Sequence, residues 1–254
     1  MDTCREHATV MKKEMLKSTN KNVVMIKKLM VLTYPFRREK ILAEPTAVED
    51  ITKEYPALNL ISEFKSEFGR VMEDKTILKE MSATFTAVVK PKLLALAKEK
   101  GERKILEEMQ ELISMETSKR SDIEDTAAII MLPQLMKRMN KGTVHLLKIC
   151  SDDESIDDVI QQAVSPQLIG GGEIGNITPF YLVAERKVVL KFNDMESSKA
   201  LAILMASYYI FNMEYPSNMR NVYLVLEATI MGRTAEARKR VVVNKFLQEL
   251  NIEH

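Results

Sequence analysis

Three glycines, Gly170, Gly172 and Gly175, stand at the G-x-G-x-x-G spacing that is typical of dinucleotide-binding folds. At this spacing the backbone comes close to a pyrophosphate, and the free N–H groups of the following helix supply the binding energy. Asp194 follows Gly175 at about the 20-residue distance expected of an acid that binds ribose hydroxyls. A nucleotide-binding enzyme that uses the Gly170–Gly175 loop is therefore one hypothesis.

The residues after this loop do not favour the helix that phosphate binding needs. Thr178-Pro179 interrupts the place where the first helical turns would run, and the aromatic and β-branched residues 180–184 prefer a strand. A dinucleotide fold also requires several alternating strands and helices, whereas residues 1–165 and 195–250 show helical periods. The glycines are accordingly predicted to form a turn in which glycine supplies positive φ angles.

The other residue types that carry chemistry are few and scattered. The only histidines are His7, His145 and His254, which gives no convincing material for a zinc site or a Ser-His-Asp arrangement. Cys4 and Cys150 are too few for a disulfide framework and suit a reducing, intracellular compartment. The sequence therefore assigns no catalytic residue, no metal ligand and no cofactor.

Charge is balanced over the whole chain but uneven along it. With 37 basic and 36 acidic residues, no global field indicates nucleic acid or a membrane as a partner. The acidic run at residues 152–158 lacks the central glycine and distal glutamate of a calcium-binding loop, so a solvated connection is expected. Between Met11 and Lys40, however, nine basic residues stand against two acidic ones. Binding of RNA or DNA is thus a further hypothesis, with candidates Lys12, Lys13, Lys17, Lys21, Lys27, Lys28, Arg238, Lys239 and Arg240.

The elements that would hold these residues are mostly helices, because Met, Lys, Glu and Leu are frequent and glycine is rare. Pro35 is expected to break the second helix. Ser121 and Glu124 predict a capping box, and residues 143–150 predict a short helix. Asn193 is predicted to cap a helix whose apolar run, residues 200–211, is too short to span a bilayer and indicates a buried core helix.

The C-terminal third carries the clearest strand signal. Residues 180–184 and 188–192 flank Glu185-Arg186-Lys187 and predict a β-hairpin, and residues 234–250 predict one last helix. The expected fold is mainly α, with many helices in two loosely divided lobes and one small β-hairpin in the C-terminal lobe. The expected divisions are a basic N-terminal helical segment at residues 1–45, a helical lobe at 46–150, and a lobe of hairpin plus helices at 165–254.

Four motifs, read in order, resemble one family. They are YPFRREKI at residues 34–41, ITKEYPAL at 51–58 followed by Glu63-Phe64, HLLKIC at 145–150, and YYIFNMEYPSNMRNVY at 208–223. Over residues 32–232 the chain resembles the region downstream of the sterile alpha motif in fish proteins labelled sterile alpha motif domain-containing protein 3-like. Tyr55 departs from the family's usual tryptophan, and no counterpart of the first 30 residues is identified.

The resemblance implies an architecture and no chemistry, because the family has no established enzymatic activity. The main hypothesis is therefore a non-enzymatic protein-interaction or assembly module that binds a protein partner or a second copy of itself. No membrane partner is expected. The interaction candidates belong to two of the four motifs, and they are Tyr34, Phe36, Arg37, Arg38, Tyr215, Pro216 and Arg220.

Overall fold

The computed structural model describes residues 2–136, 145–151 and 153–252. Helices dominate, which confirms the mainly α fold, and one small sheet lies in the C-terminal part. The helices are α1 (Asp2–Met15), α2 (Val23–Ala43), α3 (Val48–Glu54), α4 (Ile61–Val71), α5 (Ile77–Thr84), α6 (Lys90–Lys100), α7 (Arg103–Met115), α8 (Arg120–Leu135), α9 (Ile156–Gln162), α10 (Ser197–Ile210), α11 (Arg220–Ile230), α12 (Ala235–Arg238) and α13 (Val241–Glu249). A π-helical turn, Phe85–Val89, joins α5 to α6.

The first two helices pack against each other, and a polar contact fixes the start of α2. The Asn22 side chain accepts a hydrogen bond from the Met25 N–H at 2.9 Å, which caps the helix. The Asn22 N–H in turn donates to the Glu14 carboxylate of α1 at 2.6 Å. This carboxylate also pairs with Lys17. The hydrogen bond from Asn22 to Glu14 therefore fixes the start of α2 against α1.

The predicted break at Pro35 is wrong, because α2 continues through it to Ala43. A proline inside a helix costs about 3 kcal/mol or more, since it removes one backbone hydrogen bond and crowds the preceding turn. Val31, whose carbonyl loses its partner, lies on the exposed side, where water can satisfy it. The two residues after Phe36, Arg37 and Arg38, anchor the next turn to α4 and α10. These long-range contacts offset the local penalty.

The apolar helix α10 is buried along nearly its whole length, as predicted, and packs against α4, α5 and α8. The predicted Asn193 cap is wrong. The helix begins at Ser197, and the Ser197 N–H donates to the Asp122 carboxylate of α8 at 2.6 Å. A side chain distant in the sequence therefore performs the capping.

One cluster of buried apolar side chains contains Met11, Phe68, Phe211 and Phe246, so it includes residues of all three predicted divisions. The division of the chain at those boundaries stays a prediction. Among the described residues, no helix is long and apolar enough to cross a membrane.

The predicted hairpin is confirmed as part of a four-stranded sheet of order β1-β2-β3-β4. The strands are β1 (Leu147–Cys150), β2 (Gln167–Glu173), β3 (Asn176–Ala184) and β4 (Lys187–Phe192). The predicted helix at residues 143–150 is wrong from Leu147 onward, where β1 pairs in parallel with β2, while residues 143 and 144 lie outside the described residues. Periodicity alone cannot tell whether so short an apolar run forms a strand or a helix.

Two further helix boundaries differ from the predictions. Ser121 lies inside α8, and its hydroxyl is 3.3 Å from the Lys90 ammonium, so it does not form the predicted capping box. The predicted helix at residues 234–250 divides into α12 and α13 at Lys239 and Arg240. The first difference arises because Ser121 contacts Lys90, which lies in another helix. The second arises because a turn at Lys239 and Arg240 interrupts the predicted helix.

Candidate functional site

Of the three glycines, Gly170 and Gly172 lie in strand β2, and only Gly175 lies in the turn between β2 and β3. Gly172 and Gly175 have φ angles of 105° and 79°, a region that side chains with a Cβ rarely adopt. A Cβ at Gly175 would lie 2.3 Å from Cγ1 of Ile123, so this glycine also permits close packing against α8. The chain continues directly into β3, and no helix N-terminus follows the glycines. The phosphate-loop hypothesis therefore lacks the element that would bind the phosphates.

The acid of that hypothesis does come near the turn. Asp194 and Gly175 line one cavity of about 440 Å³. Three more carboxylates, Asp122, Asp125 and Glu196, line the same cavity, and a cluster of negative charges repels a phosphate. Among the residues described, no group of three or more His, Cys, Asp or Glu side chains is placed to hold a metal ion.

The remaining chemistry-bearing residues are not brought together. Burial, and to a lesser degree Glu154, raises the pKa of the Cys150 thiol, which lowers its nucleophilicity at neutral pH. His145 lies at the surface, five residues before that thiol. Asp152 of the acidic run and His254 lie outside the described residues.

Arg37, predicted to contact a partner, lies in the interior with no exposed surface. Its Nε and Nη2 donate to the two carboxylate oxygens of Glu67 at 2.7 and 2.6 Å, and its Nη1 donates to Thr33 at 2.8 Å. The guanidinium also lies 4.8 Å from the ring centroid of Tyr55. Every group of this side chain that could attract a partner is used within the chain, so the residue is structural.

Arg38 also makes an internal contact. Its Nη1 donates to the backbone carbonyls of Tyr209 and Ile210 at 2.9 and 3.3 Å. These carbonyls belong to the last turn of α10, where helix carbonyls lack intrahelical partners and carry partial negative charge. Arg38 therefore caps the C-terminus of the central helix.

The tyrosines of the fourth motif form a packed cluster. The ring of Tyr215 stacks on that of Tyr223 with centroids 4.5 Å apart, and Tyr208 lies within 5 Å of both. The Tyr215 hydroxyl donates to the Glu227 carboxylate at 2.7 Å, and Tyr209 donates to the same oxygen. Burial raises the pKa of all four hydroxyls well above the physiological range. The cluster is a core feature of the corner between α10 and α11.

Six interaction candidates keep accessible surface: Tyr34, Phe36, Arg38, Tyr215 and Pro216 are half-buried, and Arg220 is exposed. They lie on two separate parts of the chain, three on α2 and three between the end of α10 and the first residue of α11. Their role in binding a partner stays a prediction.

The basic residues of the N-terminal segment are mostly exposed, with Lys13, Lys17, Lys21, Lys27 and Lys28 at the surface and Lys12 half-buried. Arg238, Lys239 and Arg240 lie on α12 and the turn after it, which pack against α11 and α13. The helix α1 packs instead against α2 and the turn at Pro56–Asn59, and α2 also contacts α4 and α10. The packing therefore gives the two basic segments different neighbours.

The exposed side of α2 also carries a feature that the sequence reasoning missed. Val24, Val31 and Leu42 expose 79%, 56% and 54% of their surface. Their spacing of i, i+7 and i+18 places them on one line along the helix, because 18 residues make five turns. We call these three residues the apolar stripe. The spacing is visible in the sequence, but it does not tell which side of α2 faces solvent.

Exposed apolar side chains are concentrated on these two helices. Beyond the stripe, Val10, Leu16, Val23 and Leu32 are exposed on α1, α2 and the turn between them, whereas the rest of the described chain contributes five comparable residues. Single, scattered exposed apolar residues are normal on protein surfaces, whereas seven of them here lie on two adjacent helices and the turn between them.

This part of the chain is also the part that matches a known family. Residues 4–60 match the helical domain of sterile alpha motif domain-containing protein 3. The match confirms the resemblance over the first two of the four motifs, and it extends the resemblance to the N-terminal residues for which no counterpart was identified. No curated protein and no solved structure matches the chain.

Proposed function

We propose that this chain is a non-enzymatic protein-interaction module, and that the face of α1 and α2 binds an acidic amphipathic helix of a partner protein. The observation that carries the proposal is the apolar stripe, three largely exposed aliphatic side chains in line on the helix. Helix-in-groove recognition uses anchors at such helical spacings. The match of this segment to a named helical domain supports its treatment as a recognisable unit.

The dimensions of the stripe define the partner. Val24 and Leu42 are separated by 18 residues, which is about 27 Å along a helix. A partner helix of about five turns would cover the stripe from end to end. Burying three aliphatic side chains would contribute roughly 3 kcal/mol to binding, with further contacts of the partner helix supplying the rest.

The positive charge beside the stripe also restricts the kind of partner. Lys27 and Lys28 flank the stripe, and neither pairs with an acidic side chain in the described chain. A second copy docked through the same face would bring these lysines close to their own equivalents, and like charges repel. An acidic helix would instead form ion pairs at the rim of the apolar contact. The proposal is therefore a heterologous partner rather than self-association through α2.

The exposed lysines also suit nucleic acid, which was the second hypothesis. An apolar stripe lying between the lysines favours protein, because phosphate binding gains nothing from exposed valine and leucine. We also propose an intracellular location, since Cys4 and Cys150 are both free thiols.

The test is binding of an acidic amphipathic peptide of about five helical turns, with leucines on one face and glutamates on the other, followed by fluorescence anisotropy. The variant Val24→Ser/Val31→Ser/Leu42→Ser should weaken binding by about 100-fold, because each lost aliphatic contact contributes roughly 1 kcal/mol. The matched control is Val88→Ser/Val164→Ser/Val241→Ser, which removes exposed valines elsewhere.

Equal affinity of the stripe variant and the control would refute the proposed face. Labelled single-stranded RNA and duplex DNA are titrated in parallel. Tight nucleic-acid binding that weakens steeply with salt and is unaffected by the stripe variant would support the second hypothesis instead.

A further inference from the structure

A second feature lies beside the stripe, in a groove formed by α2, α4, α5 and α10. The groove encloses about 890 Å³, which is within the range of small-molecule sites. Val31, Leu78 and Ile203 line its apolar part. The groove is therefore large enough and apolar enough to hold the organic part of a small molecule.

Basic side chains surround this groove. Six of them line it, against the two acidic residues Glu63 and Glu73, and they are Lys27, Lys65, Arg70, Lys75, Lys79 and Lys199. The whole chain carries a formal charge of +1, so this excess is local. Within the described parts of the chain, Lys27, Lys65, Lys75 and Lys79 make no ion pair, which leaves their charges available to an anion.

The groove also contains a buried acid without a hydrogen-bond donor. Glu63 lines the groove with only 2% of its surface exposed. No described group donates a hydrogen bond to either of its carboxylate oxygens, and the nearest cation, Nη2 of Arg70, lies 3.9 Å from Oε2. That arginine is held 2.8 Å from Glu67 instead. A buried polar atom without a partner costs free energy, which a donor supplied by a ligand would recover.

Burial raises the pKa of Glu63, and the nearby charges of Arg70 and Lys27 offset this only in part. The environment therefore disfavours the bare carboxylate. A hydroxyl or amino group placed in the groove would stabilise it, because hydrogen bonds to ionised acceptors are the stronger ones.

We infer that this groove binds a small phosphate ester that also carries a hydroxyl or amino group. The lysines at the rim take the phosphate, the apolar residues take the organic part, and the Glu63 carboxylate accepts a hydrogen bond from the hydroxyl or amino group. The chemistry is shared by nucleotides and sugar phosphates, and the experiment separates these two sources. Val31 belongs to both the groove and the stripe. Glu63, Lys75 and Lys79, which the experiment tests, lie outside the stripe, so the inference does not depend on the proposed partner helix.

The test is isothermal titration calorimetry of the full chain with four probes: ATP, glucose 6-phosphate, inorganic phosphate and inositol hexakisphosphate. We expect ATP or glucose 6-phosphate to bind at least about tenfold more tightly than inorganic phosphate, which lacks the organic part. Whichever of the two binds identifies the source. The hexakisphosphate carries no free hydroxyl, so it reports on charge alone.

Two variants locate the site. Lys75→Glu/Lys79→Glu should weaken binding of the ester by about tenfold or more, whereas Lys104→Glu/Lys245→Glu makes the same charge change on exposed lysines away from the groove and should leave it unchanged. Glu63→Gln should weaken the ester by about fivefold, with hexakisphosphate binding unchanged or tighter. Thermal unfolding of each variant confirms that it is folded.

Three results would overturn the inference. The first is the absence of binding heat with both ATP and glucose 6-phosphate. The second is ester binding that responds equally to the groove and control lysine variants. The third is hexakisphosphate binding alone, which would make the groove a general polyanion surface without use of Glu63.

Discussion

The buried ion pair between Arg37 and Glu67 gives the sharpest stability prediction. Replacing Arg37 with alanine removes four donated hydrogen bonds, two to Glu67, one to Thr33 and one to the Met30 carbonyl. It also removes the contact with the Tyr55 ring. Breaking a buried pair by removing one partner typically costs about 3 to 5 kcal/mol. Glu67 retains Arg70, whose Nε donates to it at 2.9 Å, so we expect about 3 kcal/mol, the low end of that range.

The assay is urea unfolding followed by circular dichroism, with differential scanning calorimetry as a second measurement. For a chain of this size, a loss of 3 kcal/mol corresponds to a decrease in Tm of about 6 to 12 °C. Arg37→Lys keeps the charge but loses the paired donors, so an intermediate loss is expected. Arg37→Met/Glu67→Leu removes both charges and should recover most of the stability.

A loss below about 1 kcal/mol for Arg37→Ala would refute this reasoning, because that value is typical of an exposed pair. So would a double variant that is less stable than Arg37→Ala. In either case the helix α2 would be held through Pro35 by something other than this contact.

Three further predictions concern single positions. Arg38→Ala should lower the unfolding free energy by about 1 to 2 kcal/mol in urea titrations, because the last carbonyls of α10 lose their charged donor, and an unchanged midpoint would contradict the capping role. Gly175→Ala should cost more than Gly101→Ala by about 1 kcal/mol or more, since both have positive φ but only the first meets a neighbouring side chain; equal losses would show that packing at the turn is unimportant. The unfolding free energy of Glu63→Gln, relative to that of the unmodified chain, should increase as the pH rises from about 4 to 7. The folded-state pKa of Glu63 is raised, so its ionisation in the native state costs stability above the unfolded pKa, and parallel pH profiles of the two proteins in thermal unfolding would contradict this.

Local patterns in the sequence predict much of the fold. The hairpin at β3 and β4 follows from two short runs of aromatic and β-branched residues, and α10 follows from an apolar run interrupted only by Ser207. That no helix follows the glycines was also predictable, because Thr178-Pro179 and the strand-forming residues after it disfavour one. The predicted turn is confirmed at Gly175, whereas Gly170 and Gly172 lie in β2. These features depend on neighbouring residues, which a single sequence contains.

The predictions that failed concern features that depend on contacts between distant residues. Pro35 should have ended α2, but Arg37 and Arg38 hold the helix to α4 and α10. The cap of α10 comes from Asp122, which lies in another helix. No local pattern contains this information.

The candidate sites also combine properties that the sequence contains with properties that only the tertiary structure reveals. The basic composition of α1 and α2 and the spacing of the apolar stripe are present in the sequence, but exposure is not. Arg37 was assigned to a binding surface because it is charged, and the structure places it in the core. The groove around Glu63 combines residues of four helices, so only the tertiary structure reveals it.

The pairing of Arg37 with Glu67 bears on how the chain can be divided. The family match ends at residue 60, yet the carboxylate that neutralises Arg37 belongs to α4, beyond that limit. In a fragment that ends at residue 60, the Arg37 guanidinium would have no carboxylate partner. In the remainder of the chain, the carbonyls of Tyr209 and Ile210 would lose the hydrogen bonds from Arg38. The segment recognised by similarity therefore does not contain all the partners that its own arginines contact.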